Sequence, residues 1–193
     1  MPKVRLALAQ TNPVVGDISA NLDQALESIK DAAKSGAHLV VFGEMAITGY
    51  PIEDLAARNS FVVEAENAVQ TLASHLLEAD LGEIAVVIGH PAGAKNKDTH
   101  SWAIAQNCAS VLLRGEVIGR YAKHHLPNYS VFDEYRIFVP GNELLTFDLM
   151  GLKFSTLICE DIWQKGGPVA KLVENNTDVA LVLNGSPFEI DKR

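Results

Sequence analysis

The sequence predicts a mixed α/β domain. Three observations predict it. Strand-type and helix-type apolar periodicities alternate through the first half of the chain. Two of the strands there are unbroken apolar runs, Ala37–Phe42 and Ile84–Ile88, as expected of strands covered on both faces. The second half changes to short strands joined by tight turns, the grammar of a meander. At 193 residues, the chain fits one domain, and no internal repeat, low-complexity tract or linker divides it.

The elements follow in order. Lys3–Gln10 alternates around Val4, Leu6 and Leu8 and reads as a strand. Asn12-Pro13 and Gly16-Asp17 mark a turn. Leu22, Ala25, Leu26, Ile29, Ala32 and Ala33 then recur on one helical face, with Asp17 or Ser19 to cap the start and Gly36 to end it. After the strand Ala37–Phe42, Gly43-Glu44 ends the run, and Gly49 and Pro51 make residues 48–59 a loop. A second helix spans Ser60–Glu78, followed by the strand Ile84–Ile88. Ser101–Gln106, Ala109–Leu113 and Val117–Tyr121 read as strands, the last two joined through Arg114-Gly115-Glu116. Pro127–Pro140 is a loop rich in aromatic and charged residues. Leu144–Phe147 and Leu152–Ile158 pair around Met150-Gly151. A short helix, Pro168–Asn175, leads into the strand Val179–Leu183.

Composition narrows the function. Apolar residues make up 48% and charged residues 21% of the chain, enough for a sizeable core. Sixteen Lys and Arg against twenty-four Asp and Glu give a net charge of −8, which repels phosphate backbones and argues against nucleic acid as a partner. No apolar run approaches the ~20 residues that span a bilayer, so no membrane partner is expected. The start of the chain carries no secretory pattern, and the two cysteines form no CxxC pair or zinc-type cluster, which together point to a cytoplasmic protein with reduced thiols.

Three residues at strand ends invite chemistry. Cys159 ends Phe154–Ile158 and precedes Glu160-Asp161-Ile162-Trp163. A lone cysteine is most often a buried structural thiol, the reading given to Cys108. The acidic setting after the strand sets Cys159 apart. A nucleophilic cysteine needs a base and an oxyanion donor. Of the six histidines, His38, His75, His90, His100, His124 and His125, none sits in a recognisable Cys–His protease context. Glu44, at the end of a buried strand, is either a turn-capping carboxylate or a base. Lys123 either snorkels into solvent or donates to an oxyanion.

In the order Gly-Glu44, Lys123-x-x-Leu-Pro, Cys159-Glu-Asp, these residues resemble the nitrilase superfamily of carbon–nitrogen hydrolases. The segments Lys123–Arg136, Gly49–Leu55, Cys159–Trp163 and Asn184–Phe188 are similar to the glutaminase domains of NAD synthetases. The resemblance covers essentially the whole chain. It implies a nitrilase-type α-β-β-α sandwich over residues 1–193, incomplete at its C-terminal end. It implies that Glu44 is the general base, Lys123 the oxyanion stabiliser, Cys159 the nucleophile and Glu134 a further carboxylate that orients Lys123. It also implies that Tyr129, Phe132, Ser186 and Lys192 line a glutamine pocket. The plainer readings are loop packing for Tyr129 and Phe132, and a turn residue for Ser186.

No Ser-Gly-Gly-x-Asp-Ser loop, Walker loop or GxGxxG occurs in the sequence. No cofactor is therefore expected in this chain. By the resemblance, ATP with Mg and deamido-NAD belong to a synthetase domain elsewhere in a longer protein, and the family implies a homo-oligomer paired through its helices. Two other readings stay open: a stand-alone hydrolase of another small amide, and a non-catalytic amide-binding module on the same fold.

Overall fold

The structure, a computed structural model, describes residues 3–94, 103–187 and 190. Among the described residues, two sheets stack face to face. The larger has five strands in the order β1 (Leu6–Ala9), β2 (Leu39–Phe42), β3 (Ala85–Gly93), β4 (Ala105–Leu113) and β5 (Glu116–Ala122). The first three are parallel and the last two run antiparallel to their neighbours. The smaller sheet orders β6 (Leu145–Leu149), β7 (Leu152–Ile158) and β8 (Val179–Leu183), with β6 antiparallel and β8 parallel to β7.

The apolar runs explain the layering. Successive strand side chains point to opposite faces. Val40, Phe42, Val86 and Ile88 face the helices α1 (Ile18–Lys34) and α2 (Asn59–Glu78), where they meet Ile29, Val69 and Leu72. Leu39, Val41, Ala85 and Val87 face the second sheet, where they meet Phe154, Leu157 and Leu181. The short helix α4 (Gly167–Glu174) adds Val169 and Leu172 to the second cluster. The result is the expected α-β-β-α sandwich. Each fully buried Leu or Ile in these cores contributes roughly 1.5–3 kcal/mol.

Local signals behave as anticipated at the first helix. Asp17 is the N-cap, its Oδ1 accepting from the Ala20 N–H at 3.1 Å, and Gly36 takes φ +72° beyond the helix end. Elsewhere the structure departs from the sequence reading. β3 runs on to Gly93 through Pro91. β2 pairs with β3 only as far as Val87, so Pro91 occupies an edge-like stretch where its missing N–H breaks no ladder. Ala105–Leu113 is one strand rather than two, continuous through Asn107 and Cys108. Ser101 and Trp102 of the first expected strand lie outside the described residues. The two expected loops each hold a turn of helix: a 3-10 turn at Glu53–Ala57 and α3 (Glu134–Ile137).

Candidate active site

Glu44 sits in a turn just beyond β2 that lies directly on β3. The close approach depends on Gly89. A Cβ there would fall 2.5 Å from both the Gly43 oxygen and the Met45 nitrogen. The Glu44 N–H donates to the Asn184 carbonyl at 3.3 Å, and the Gly185 N–H donates to Glu44 Oε2 at 2.9 Å. The turn after β2 is thus tied to the segment after β8.

Lys123 follows β5 and does not snorkel. It is 1% exposed, and its ammonium lies 2.8 Å from Glu44 Oε1 and 2.7 Å from Glu134 Oε2. A lysine can be buried this completely only where its charge is paired. Burial works against that charge, but the two carboxylates outweigh it and hold the pKa above the ordinary lysine range. Glu134, on α3, is pushed up to about 7, first by burial and then by the Glu44 carboxylate, while Lys123 and Tyr50 pull it down. Asn107 binds both carboxylates: its Nδ2 donates to Glu44 Oε1 at 2.7 Å and to Glu134 Oε1 at 3.2 Å. The Tyr50 hydroxyl donates to Glu134 Oε1 at 3.0 Å.

Cys159 stands where β7 turns into the 3-10 turn Cys159–Ile162. Its φ of +42° lies in the left-handed region that few non-glycine residues adopt. Asp161 holds this turn. It is fully buried and accepts from the Ile158 N–H at 3.1 Å, the Tyr121 hydroxyl at 2.7 Å, and the His124 and His125 N–H groups at 3.1 and 2.8 Å. The Cys159 sulfur lies 3.8 Å from Ser186 Oγ and against the Gly185 backbone, the same residue that donates to Glu44. Burial, and then the Glu44 charge, raise the thiol pKa, with Lys123 opposing. The cysteine is therefore held as a thiol beside a carboxylate. His90 is buried against Ser110 at 2.7 Å and its pKa falls to about 3 through burial. Among the described residues, no histidine ring hydrogen-bonds Cys159.

Of the pocket residues expected from sequence, Tyr129 is 56% exposed and donates its hydroxyl to Glu160 Oε2 at 2.7 Å, so it is no core residue. Phe132 is half-buried, with its ring centroid 5.7 Å from Tyr129 and 6.5 Å from Tyr50. Ser186 is exposed beside the sulfur. Lys192 lies outside the described residues. Glu44, Tyr50, Gly185 and Ser186 border a cavity of about 550 Å³. Tyr129, Glu160 and Gln164 border another of about 390 Å³, next to the turn that carries Cys159. Sequence reasoning missed Asn107, Tyr50, Asp161 and the placement of Glu160. Asn107 carried a signal nonetheless, since a buried amide in mid-strand defies strand propensity.

The family profile described as carbon-nitrogen hydrolase matches residues 5–191. The chain belongs to the carbon-nitrogen hydrolase family. It is 39% identical over 192 residues to the glutamine-dependent NAD(+) synthetase of Acinetobacter baylyi, a match that takes in 100% of this chain and 33% of that protein. It is 38% identical over 193 residues to the synthetase of Thermotoga maritima, at 100% and 32%. The chain thus spans about a third of the length of the curated relatives it matches. Among solved structures, the glutamine-dependent NAD+ synthetase of Acinetobacter baumannii superposes with a TM-score of 0.83 at 38% identity, covering 96% of this chain and 33% of that one. A nitrilase-superfamily amidase from Nesterenkonia shares the fold, with a TM-score of 0.80 at 23% identity over 98% of this chain and 68% of that one. No helix among the described residues is long and apolar enough to cross a membrane.

Proposed function

We propose that this chain is the glutaminase portion of a glutamine-dependent NAD synthetase, hydrolysing glutamine through Cys159. The observation that carries the reading is a buried ammonium between two carboxylates, Lys123 with Glu44 and Glu134, tied through Gly185 to a thiol at a strand end. Similarity along the whole chain to synthetases of that name supports the substrate. A binding module without catalysis gains nothing from burying such a cluster, because two desolvated carboxylates and an ammonium cost more than apolar side chains would.

In this reading Glu44 takes the Cys159 proton as the sulfur attacks the side-chain amide carbon of glutamine. A raised thiol pKa suits this coupled transfer better than a pre-formed thiolate. Lys123 and a backbone N–H near residue 160 stabilise the oxyanion. Lys123 keeps its charge between two carboxylates, which fits an electrostatic role rather than a base. Glu44 passes its proton to the leaving ammonia, then activates the water that cleaves the thioester and frees glutamate. Glu160, held by Tyr129 and Gln164 at the second cavity, offers a carboxylate for the substrate ammonium. Ammonia would then amidate adenylated deamido-NAD in a cytoplasmic enzyme whose ATP and Mg bind outside this chain.

Cys159→Ala in the full-length protein tests this division of labour. Glutamine-dependent NAD formation should vanish while formation from added ammonia survives. Equal loss of both in a folded protein would refute it.

A further inference from the structure

We propose that Asn107 is a positioning residue that dedicates one oxygen of Glu44, Oε2, to proton transfer. The proposal rests on Glu44 and Cys159 acting as base and nucleophile. Glu44 Oε1 accepts from Lys123 Nζ at 2.8 Å and from Asn107 Nδ2 at 2.7 Å, which uses both of its lone pairs. Oε2 accepts only from the Gly185 N–H, at 2.9 Å, among the described residues. One lone pair of Oε2 is left, and the Gly185 backbone that binds Oε2 also lies against the Cys159 sulfur.

The orientation of the Asn107 amide follows from its neighbours. Both groups it touches are carboxylates, so the NH2 must face them; the flipped amide would set an oxygen against two acceptors. Among the described residues, Asn107 Oδ1 is then left buried with no hydrogen-bond partner. A residue kept for the fold alone would not carry that cost. The main chain acts in the same direction. The Lys123 N–H donates to the Asn107 carbonyl at 2.8 Å. One residue thus holds the Lys123 main chain through its carbonyl and the two carboxylates through its side chain.

The test is the pH profile of Cys159 alkylation by iodoacetamide in the full-length protein, followed on the Cys159 peptide by mass spectrometry. Asn107→Leu keeps much of the volume and offers no donor. Asn107→Ser offers one. A carboxylate that loses a hydrogen-bond donor is easier to protonate, so the acid limb of the profile should move to higher pH by about one unit in the Leu variant, a roughly tenfold slower reaction on that limb. The Ser variant should move it less, and carries the test if the Leu variant does not fold. A purely structural role would lower the fraction of reactive protein without moving the limb. An unmoved limb in the folded variants overturns the proposal. Glutamate release from glutamine by the wild-type protein is read separately: its absence refutes the glutaminase reading and leaves the alkylation profile to decide the role of Asn107.

Discussion

The single ammonium of Lys123 between two buried carboxylates sets the behaviour of the site. Removing it leaves Glu44 and Glu134 facing each other without a counter-charge, and loss of one partner from a buried pair costs about 3–5 kcal/mol. Lys123→Met should therefore lower unfolding stability by about that amount, measured by urea denaturation, as well as abolish turnover. The pH dependence has a defined sign. The Glu134 carboxyl rises from 4.5 to about 7 in the folded protein. Between those values the folded state binds more protons than the unfolded one, so this group makes stability fall as pH rises from 4.5 towards about 7. Lys123 acts at the other end: its raised pKa gives stability that is complete below the ordinary 10.5 and is lost only above it. In Glu134→Gln the fall between about pH 5 and about pH 7 should flatten. Urea midpoints across that range, compared with wild type, would show it, and an unchanged slope would contradict the assignment. That Glu44, Lys123 and Glu134 come together near Cys159 was anticipated, because strand ends singled out Glu44, Lys123 and Cys159 and the family resemblance supplied Glu134. The roles of Asn107, Tyr50 and Asp161 were not, because most of their partners lie 27 to 84 residues away in sequence; the oddity of an Asn within a strand could mark Asn107 but could not name its partners.

Two elements position these side chains, each through one residue. The turn bearing Glu44 rests on β3 at Gly89, where any Cβ meets backbone that cannot yield cheaply. Gly89→Ala should cost about 1–3 kcal/mol in thermal or urea denaturation, in line with overpacking elsewhere, and should reduce turnover further by displacing Glu44. The 3-10 turn bearing Cys159 hangs on Asp161, whose two oxygens accept four donors. Asp161→Asn turns one acceptor into a donor facing N–H or O–H groups and should lose at least ~2 kcal/mol, with slower alkylation of Cys159. The helix periodicities, the Asp17 cap and the apolar strands were readable because short-range rules govern them. β4 was split in two at Asn107 and Cys108 because Asn disfavours strands; the strand tolerates it because the amide serves two carboxylates. β3 was cut short at Ile88, since Pro91 reads as a strand breaker until its edge-like pairing is known.

At the scale of the whole molecule, the sandwich brings strand ends of both sheets to one site: Glu44 and Lys123 from the five-stranded sheet, Cys159 and Gly185 from the three-stranded one. The layering could be inferred from apolar runs buried on both faces, but the strand partners could not, because register depends on contacts between distant segments. The chain spans about a third of its synthetase relatives, so the coupling of glutamine hydrolysis to NAD formation is proposed for a longer protein that would contain this chain. The most direct measurement is glutamate release from glutamine by that full-length protein, with and without ATP and deamido-NAD. The account predicts release that requires Cys159 and rises strongly when both synthetase substrates are present. Release indifferent to them would make the protein a free-standing amidase, and no release from a folded, alkylatable enzyme would contradict the glutaminase assignment itself.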